Sequence, residues 1–547
     1  MVVLNNGIVS VTFSMVGHVT SLMYEGSTEN LLESQNAEDD RGYWSVVWNK
    51  PEEKGGMERL QGTSYRVILQ NPDQTEISFS TTWTVGSEKV PLNFDKRFVM
   101  LRGVPGFYTY TVLEKQKGWP AFDIQIARVV FKLDENKFHY MAMSDERKRF
   151  MPMEVDRKTG QVLEYKEAVL LTNPTNPQFK GEVDDKYLYS CDNKDNKVHG
   201  WVSTDLGLGV WMITPSIEFK TGGPLKQDLT SHVGPTMLSI FISPHYAGED
   251  LALKFEEQEY WKKVLGPVFV YLNSDVSAKT NPSVLWDEAK QRMSKEVASW
   301  PYDFPFSNDF LNSSQRGAVS GQLLVHDSYI NKQPVPAASA YIGLAPTEGP
   351  GSWQTESKGY QFWTQTDDSG NFLIKNVIPG TYSLFAWVRG TVGDYKHATD
   401  IIVASGSNIE LHDAVFNAPR FGPTLWEIGI PDRTAAEFFI PDPVYKIHQY
   451  QNYTERFRQY GLWARYAESY PESDLLYTVG ESDYKTDWFF AHVTRHGIHG
   501  LYHFYSIGIA GSRLVDGMNT IFLTQDVNLG PFREVMYDYI RLEGPAS

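Results

Sequence analysis

The chain has 547 residues, which is too long for a single hydrophobic core, because single cores stop growing at about 250–300 residues. Its 41% hydrophobic and 21% charged residues are typical of a globular protein, so two or three domains are expected. The formal net charge of -17 argues against a nucleic-acid partner, since phosphate binding needs a basic surface. An acidic polysaccharide would meet the same repulsion, so a cleft for such a substrate is expected to be locally basic.

The single cysteine, Cys191, excludes an internal disulfide, so the domains are expected to be held by their cores alone. No apolar run approaches the ~20 residues that a membrane-spanning helix needs. The first residues, from Met1 to Gly7, show no basic region, long apolar segment or small-residue cleavage site. No signal peptide is therefore visible in this sequence.

Short runs of β-branched and aromatic residues, separated by turns, dominate the chain from Met1 to about Tyr271. Clear examples are residues 7–13, 66–69, 76–83 and 107–113. These runs predict antiparallel strands, and the length of the region favours a large β-sandwich. Aromatic residues make up 14% of the chain, which suits strands and also suits stacking on sugar rings.

Residues 281–300 follow a helical pattern and are expected to close the first domain. Asn281 is placed to cap the helix, and Pro282 fits its first position. Apolar residues then recur at intervals of four, at Leu285, Ala289, Met293 and Val297.

Two further β-rich units are predicted after this helix. From residue 317 onward, alternating strands joined by Asp/Gly and Pro-Gly turns predict a small β-sandwich of about a hundred residues. From about Phe421 the sequence changes to a third β-rich unit, with predicted strands at residues 519–524 and 536–542. We therefore expect three domains, and their predicted bounds are residues 1–312, 313–419 and 420–547.

The sequence lacks a phosphate-binding loop, a His-Glu-x-x-His helix, a Cys-x-x-Cys pair and a Gly-x-Ser-x-Gly turn. This weakens the prediction of a nucleotide-binding protein, a zinc enzyme or a serine hydrolase. Basic residues and histidines concentrate instead in the first unit, in residues 127–132, 184–190, 197–201 and 221–235.

These segments, together with residues 41–48, 266–273, 495–502 and 537–545, closely resemble plant rhamnogalacturonan lyases. The resemblance runs through nearly the whole chain. It implies an enzyme that cuts rhamnose–galacturonate bonds of the pectin rhamnogalacturonan I by β-elimination, leaving 4,5-unsaturated galacturonate ends. It also implies a monomeric cell-wall protein, acting outside the cell without cofactor or metal and with neither a nucleic-acid nor a membrane partner.

The same resemblance implies a mainly β protein with three domains. The first would be a large antiparallel catalytic β-sandwich of the galactose-mutarotase type. The second would be a small fibronectin-like or prealbumin-like sandwich, and the third a jelly roll resembling carbohydrate-binding modules.

In fungal members of that family, a lysine and a histidine carry catalysis. The lysine lies in a segment that residues 185–190 match here, with a Val-His-Gly segment following at 198–200, so Lys186 takes its place. The histidine follows a Gly-Gly-Pro turn, which points to His232 after residues 222–224. Both residues are therefore predicted to be catalytic.

Three further residues are predicted to bind substrate. The family places an arginine near the catalytic pair, in a strand that resembles residues 127–133, which points to Arg128. Tyr187, beside the predicted lysine, and His199, in the Val-His-Gly segment, complete the predicted site.

The reaction explains why these residue types are needed. Removing the C5 proton of a galacturonate is difficult while its carboxylate is ionised, and Arg128 would neutralise that charge through its planar fork. A lysine held neutral by burial and neighbouring cations can act as base, and a histidine can protonate the leaving oxygen. We assign the base to Lys186 and the acid to His232, although the two roles could be exchanged.

Each residue also has an ordinary structural explanation. Lys186 could be a solvated loop cation, since lysine is seldom buried, and His232 or His199 could simply be a turn residue. Arg128 could pair with a surface carboxylate. The basic tract at residues 146–150 is expected to be a solvated loop facing the cleft.

Two other functions remain open from the sequence. One is a pectin-binding protein that keeps the fold without turnover, and the other is a glycoside hydrolase, which would place paired carboxylates in the cleft. The third unit also looks shortened, because Arg495 directly precedes His496 where relatives carry further strands. A jelly roll without those strands would expose apolar surface.

Overall fold

The computed structural model describes residues 1–163, 168–232, 234–347, 352–434, 437–438, 474–488, 501–524 and 537–546. Antiparallel strands dominate these residues, so the predicted β class is confirmed. Short 3-10 helices are found at Glu38–Asp40, Pro177–Phe179, Lys186–Tyr189, Glu249–Leu251, Val276–Lys279, Ser313–Gln315 and Gly511–Arg513.

The first region is built from many strands and ends in a long helix. In chain order the strands are β1 (Val2–Asn5), β2 (Val9–Phe13), β3 (Val19–Tyr24), β4 (Gly42–Asn49), β5 (Gly56–Arg59), β6 (Ser64–Gln70), β7 (Gln74–Thr81), β8 (Asn93–Leu101), β9 (Gly106–Lys115), β10 (Phe122–Lys132), β11 (Tyr140–Ala142), β12 (Lys148–Phe150), β13 (Gln161–Val162), β14 (Val169–Leu170), β15 (Val183–Asp184), β16 (Ser190–Asp192), β17 (Val198–Ser203), β18 (Leu208–Ile213), β19 (Gln227–Leu229), β20 (Thr236–Ile242), β21 (Leu253–Phe255) and β22 (Trp261–Ser274). The four runs predicted from the sequence fall on β2, β6, β7 and β9.

Two large sheets form the sandwich. One has eight strands in the order β1-β2-β3-β4-β10-β20, with β5 beside β4 and β21 beside β10. The other has nine strands in the order β12-β11-β17-β18-β22-β9-β8-β7-β6. Two small sheets, β13-β14-β15 and the pair β16-β19, are separate from both.

The main core lies between the two large sheets. Trp44 and Val129 contribute from the eight-stranded sheet, and Phe98 and Val270 contribute from the other. Each such side chain stabilises the fold by about 1.5–3 kcal/mol when it leaves water. The indole of Trp44 also donates a hydrogen bond of 2.9 Å to Thr109 on the opposite sheet, so its polar atom is satisfied.

The outer face of the eight-stranded sheet carries a smaller apolar cluster that positions β19. Leu229 of β19 packs there with Tyr43, Val130, Leu238 and Tyr246. This contact seats the β16-β19 pair on the side of the sheet that faces away from the main core.

Helix α2 (Ser283–Ala298) covers the other face of the nine-stranded sheet, and the predicted helix is confirmed. Leu285, Trp286 and Ala289 pack there against Trp211 and Phe269. The other described helices are α1 (Glu154–Lys158) and α3 (Tyr484–Asp487). Among the described residues, no helix combines the length and apolar character needed to span a membrane.

The detailed predictions for α2 need correction at its start. The residue that precedes the first helical turn is Pro282, which provides no side-chain cap, so Asn281 is not the N-cap. The buried positions also include Trp286 and Glu296. Glu296 is tolerated inside because Tyr302 donates a hydrogen bond of 2.5 Å to it and Arg292 pairs with it at 2.7 Å.

The second region is a two-sheet sandwich. Its strands are β23 (Gly317–His326), β24 (Val335–Pro336), β25 (Tyr341–Pro346), β26 (Phe362–Gln365), β27 (Asn371–Val377), β28 (Gly380–Trp387), β29 (Tyr395–Lys396), β30 (Ile401–Val403) and β31 (Asn408–Asn417). One sheet has the order β24-β23-β27 with β31 parallel to β23, and the other has the order β26-β25-β28-β29 with β30 beside β28. The predicted turn before β27 is closed by Asp367, which accepts hydrogen bonds from the backbone of Ser369 and Asn371.

A polar, largely buried interface joins the first and second regions. Arg316 pairs with Glu218 at 2.8 Å, and both side chains are buried. Lys263 donates a hydrogen bond of 2.5 Å to the carbonyl of Gly359. The indole of Trp261 donates one of 2.9 Å to the carbonyl of Lys358. Because these groups satisfy one another only when the regions are docked, the interface is specific.

The third region pairs β32 (Thr424–Gly429) with β33 (Tyr539–Glu543). The strand predicted at 536–542 is confirmed where β33 overlaps it. The strand predicted at 519–524 is wrong, because the described residues 501–524 contain no strand. Large apolar side chains of that segment, such as Ile507 and Phe522, are exposed, so it lacks the alternate burial that would support a strand.

Candidate active site

A short antiparallel ribbon brings the two predicted catalytic residues together. Strands β16 and β19 pair so that Ser190 lies opposite Leu229. Lys186 lies four residues before Ser190, at the start of the 3-10 helix, and His232 lies three residues after Leu229. In an antiparallel pair, the start of one strand lies beside the end of the other. Lys186 and His232 therefore lie at the same end of the ribbon.

Hydrogen bonds fix this end of the ribbon. The hydroxyl of Thr230 donates a bond of 2.6 Å to the carbonyl of Tyr189. The phenol of Tyr189 in turn donates to Asp184 at 3.2 Å. The guanidinium of Arg147 donates to the carbonyl of Ser190. The backbone next to both predicted catalytic residues is thus tied to its surroundings.

Lys186 and His232 line one cavity, and the empty space of about 510 Å³ at this place includes open solvent. The wall also includes Glu135, His139, Glu154, Arg157, Asp184 and Trp201. The structure therefore brings the predicted lysine and histidine into a common cavity, while their chemical roles stay predictions.

The cavity lining does not show the expected excess of basic residues. Arg157 is its one described arginine, and Asp184 holds that guanidinium in an ion pair with both side chains largely buried. Glu135 and Glu154 add two further carboxyl groups to the wall. Lys186 therefore lies among both acidic and basic groups, and the local field depends on which carboxyls are ionised.

One of these carboxyls is shifted towards its neutral form. Burial, followed by a hydrogen bond and charge repulsion from Glu154, raises the pKa of Glu135 to about 7. Lys158 bonds to Glu154 at 2.6 Å and holds the pKa of Glu154 below its usual value. Below about pH 7 the pair therefore shares one proton, which removes part of the negative charge from the cavity wall.

Arg128, predicted to bind substrate, is not among the residues that line this cavity. It is on β10, where its guanidinium donates hydrogen bonds to the hydroxyl of Ser45 at 3.4 Å and to the sulfur of Met57 at 3.5 Å. Burial lowers its pKa from the ordinary value. Its predicted contact with substrate stays a prediction, and the arginine that does line the cavity is Arg157. No motif in the sequence indicates that Arg157 belongs to the site, because it is only one of several charged residues in a short helix.

His199 is in the protein interior and does not line the cavity. Its side chain is 3% exposed, and Nδ1 lies 2.9 Å from the amide oxygen of Asn196. Burial, and then the charge of Lys220, lower its pKa to about 3, so the imidazole is neutral. In this structure His199 offers no surface to a polysaccharide. The prediction for Tyr187 concerns a side chain outside the described part of the chain.

The basic tract at residues 146–150 is not the expected solvated loop. Arg149 is 1% exposed and pairs with Glu182 at 2.8 Å, with its guanidinium over the ring of Phe179. Arg147 is also buried and holds the ribbon at Ser190. These two arginines therefore stabilise the backbone and side chains that surround the site. The local sequence could not reveal this role, because their partners lie far along the chain.

Buried charges surround the inner end of the ribbon. Lys226 and Asp228 form an ion pair of 2.6 Å with both side chains almost fully buried. Lys220 is 2% exposed, and its Nζ has no hydrogen-bond acceptor among the described residues. Burial lowers its pKa to about 8. Such unfavourable burial, at the ribbon that leads to the predicted catalytic residues, is typical of a functional region.

Within the described residues, no three or more His, Cys, Asp or Glu side chains are placed to hold a metal ion. The expected independence from metals stays a prediction.

Three family models match the chain. The rhamnogalacturonate lyase family matches residues 1–183. Domain II of polysaccharide lyase family 4 matches residues 337–411, and the CBM-like domain III matches 424–495 and 492–542. The matches together span more than half of the chain. The two parts of the third match overlap at residues 492–495, which adjoin the place where strands are predicted to be missing.

Several curated proteins are similar over much of the chain. The "Rhamnogalacturonate lyase" of Dickeya dadantii is 25% identical over 496 residues, covering 89% of this chain and 74% of that protein. The "Probable rhamnogalacturonate lyase B" of Aspergillus terreus is 24% identical, covering 89% and 72%. The protein of the same description from Aspergillus niger is 24% identical, covering 72% and 55%.

Solved structures resemble the chain only weakly. A galactose mutarotase-like protein from Lactobacillus casei has a TM-score of 0.29 at 8% identity, covering 50% of this chain and 100% of its own. A putative aldose 1-epimerase from Escherichia coli has a TM-score of 0.26 at 10% identity, covering 50% and 98%. Scores this low have no bearing on function.

The neutral, buried state of His199 predicts a loss of stability in acid. Its pKa falls from 6.5 in the unfolded chain to about 3 in the folded one, so its contribution is complete above pH 6.5 and is lost as the pH falls towards 3. At pH 4.5 the unfolded state gains about 2–3 kcal/mol from protonation of this residue. Denaturant unfolding at pH 7.5 and 4.5 should therefore show a smaller acid loss in His199→Gln than in the parent protein.

The control for this experiment is His412→Gln, because the His412 side chain is 78% exposed. That variant should keep the full acid loss of the parent. Equal acid losses in the parent and in His199→Gln would contradict the prediction.

Proposed function

The chain belongs to the rhamnogalacturonate lyase family, polysaccharide lyase family 4, and on that premise we propose that this polysaccharide lyase cleaves rhamnose–galacturonate bonds of rhamnogalacturonan I by β-elimination. The observation that carries the proposal is the ribbon that sets Lys186 beside His232 in one cavity. The first family match ends before both residues, so their roles rest on this geometry and on the resemblance of residues 185–190 and 222–232.

The proposed reaction moves one proton and breaks one bond. Lys186 takes the proton from C5 of galacturonate, the electron pair forms the C4–C5 double bond, and the C4–O bond breaks. His232 gives a proton to the rhamnose oxygen that leaves. General acid and base groups contribute about 10²–10⁴-fold each to such steps. The two residues could exchange these roles without changing the products.

Charge control in the cavity supports a uronate substrate. The carbanion that forms beside the carboxylate is stabilised only if negative charge nearby is kept low. The proton shared by Glu135 and Glu154 achieves this below about pH 7. Arg157 brings a permanent positive charge to the same wall. We propose Arg157 as the residue that faces the substrate carboxylate, beside the earlier prediction of Arg128.

A glycoside hydrolase would also place two carboxyls in its cleft, as Glu135 and Glu154 are placed here. A hydrolase needs them about 5–9.5 Å apart, on either side of the scissile bond. Glu135 and Glu154 instead bond directly to each other, which leaves no room for a sugar between them. Their arrangement therefore favours the lyase.

A pectin-binding protein without turnover is the other alternative. Such a protein would need a cavity and a sugar-binding surface, but it would not need a catalytic base and a catalytic acid in the same cavity. The joint placement of Lys186 and His232 favours turnover. We further propose that the protein acts outside the cell, on the cell-wall polymer, as a monomer.

Replacing either proposed catalytic residue should remove activity without unfolding the protein. We expect Lys186→Ala and His232→Ala to lower kcat by about 10²–10⁴-fold, because each removes one proton transfer. Unfolding temperatures should change little, since neither residue is fully buried. Initial rates on rhamnogalacturonan I, followed by the ultraviolet absorbance of the unsaturated product, measure the effect.

The matched controls are Lys180→Ala, at an exposed lysine six residues before Lys186, and His412→Gln. Both should keep the parent rate. Near-parental kcat in Lys186→Ala would remove that residue from the mechanism.

The two candidate arginines can be separated by conservative changes. A lysine keeps the charge but cannot form the planar two-bond contact with a carboxylate. We expect Arg157→Lys to lower kcat/KM by about tenfold or more, and Arg128→Lys to lower it less, because Arg128 does not line the cavity. Steady-state kinetics and thermal unfolding of both variants test this order. A larger loss of kcat/KM in Arg128→Lys than in Arg157→Lys would indicate that Arg128, and not Arg157, binds the substrate carboxylate.

The products and the polymer preference test the proposed function itself. Rhamnogalacturonan I alternates galacturonate with neutral rhamnose, so it meets less repulsion from a protein of net charge -17 than polygalacturonate does. We expect unsaturated galacturonate ends from rhamnogalacturonan I and little or none from polygalacturonate, at equal uronate concentration and salt. Saturated ends would indicate a hydrolase, and comparable rates on both polymers would contradict the proposed backbone preference.

A further inference from the structure

The ribbon that carries Lys186 and His232 is held at its other end by a glycine loop. Residues 221–226 lead directly into β19, and Asn193 follows β16. The side-chain amide of Asn193 donates hydrogen bonds to the carbonyls of Thr221 at 3.1 Å and Gly223 at 3.0 Å. The backbone of Asn193 also donates to the carbonyl of Lys226 at 2.8 Å. Loop and ribbon therefore form one hydrogen-bonded unit.

The second region packs directly on this loop. Gly223 has a φ of +73°, and a Cβ placed there would lie 2.6 Å from Cζ3 and 2.8 Å from Cε3 of Trp353. The indole of Trp353 is therefore in contact with the loop backbone, and only glycine fits between them. Trp353 is 4% exposed, so this contact is an internal one.

Trp353 is itself held firmly in the second region. Its ring packs against Trp363 with ring centres 4.8 Å apart. The side chain of Gln361 donates a hydrogen bond of 2.8 Å to the carbonyl of Trp353, and the backbone of Gln361 donates one of 3.0 Å to the carbonyl of Glu218, just before the loop. The second region thus presents a fixed surface to the loop.

A shift at the loop has a short path to the catalytic pair. Strands β16 and β19 are three residues long, so about 10 Å of paired backbone separates the loop from the end of the ribbon. Lys186 and His232 lie within four residues of that end. Paired strands this short and this tightly bonded move together. Proton transfer is sensitive to such movement, since a misplacement of about 1 Å can cost about 10²-fold in rate.

We propose that Trp353, in the second domain, is a positioning residue for the reaction, acting through the Gly223 loop on the ribbon that sets Lys186 against His232. The second domain then serves catalysis through this contact, although the residues that line the cavity all belong to the first domain. This inference rests on the proposed function, because it assumes that the ribbon carries the catalytic pair.

The test compares two substitutions in the second domain. Trp353→Leu removes the contact with the loop, whereas Leu384→Ala opens the core of the same domain, where Leu384 is fully buried. We expect Trp353→Leu to lower kcat by about 10–10²-fold with KM within about twofold. Leu384→Ala should keep the parent kcat at temperatures where it is folded, although it lowers the unfolding temperature more.

A second pair of variants approaches the contact from the loop. Gly223→Ala forces a methyl group against the indole and should lower kcat as Trp353→Leu does. Gly390→Ala is its control, because Gly390 also has a positive φ of +83° but nothing lies within 4 Å of the added methyl. The losses in the double variant of Gly223→Ala and Trp353→Leu should be less than additive, as expected for residues that share one contact.

Hydrogen exchange separates this inference from the proposed function. In Trp353→Leu, amides at 186–192 and 227–232 should exchange faster, while Leu384→Ala leaves them protected. Hydrogen exchange does not depend on enzymatic activity. It therefore tests the contact even if the parent protein releases no unsaturated product. Unchanged exchange and kcat in both Trp353→Leu and Gly223→Ala would overturn the proposal. Equal loss of kcat in Trp353→Leu and Leu384→Ala would also overturn it, by showing a general effect of stability.

Discussion

The candidate site depends on the antiparallel pairing of β16 with β19. Lys186 and His232 are far apart in the sequence, and only this pairing brings them to one end of a common ribbon. A slip of one residue would turn every side chain of β19 to the opposite face. Leu229 would then leave the apolar cluster on the large sheet, and Thr230 would lose its bond to Tyr189. The register is therefore fixed by packing and hydrogen bonding together.

Buried charges near the ribbon lower the stability of this region. Apolar residues in place of a buried ion pair such as Lys226–Asp228 often stabilise a protein, because two charges must be taken out of water. Lys226 directly precedes β19 and Asp228 lies within it, two residues further on, so the pair moves with β19 and does not itself set the register. The charge of Asp228 also raises the pKa of the buried Lys220, against the larger effect of burial. The region thus carries buried charge that lowers its stability, as functional regions often do.

The sequence predicted the features that depend on local pattern. Alternating residues predicted β2 and β9, and four-residue spacing predicted α2, because burial on one face selects these periods. Lys186 and His232 came from the family resemblance, and the structure adds the ribbon that joins them. The failures concern long-range partners. Arg149 looked solvated because Glu182 is distant in sequence, and His199 looked accessible because nothing near it in the sequence signals its burial.

An acidic protein can bind an acidic substrate, because the net charge and the charges of the cavity wall act on the substrate at different distances. The net charge of -17 acts on a polymer that approaches from solution, and salt screens that repulsion beyond about 8–10 Å. A bound uronate instead experiences the groups of the cavity wall, which salt screens far less. There Asp184 compensates Arg157, and a shared proton lowers the charge of Glu135 with Glu154. The site therefore needs no general basic surface, because the charge that matters to the reaction is set within a few ångströms of the bond that breaks.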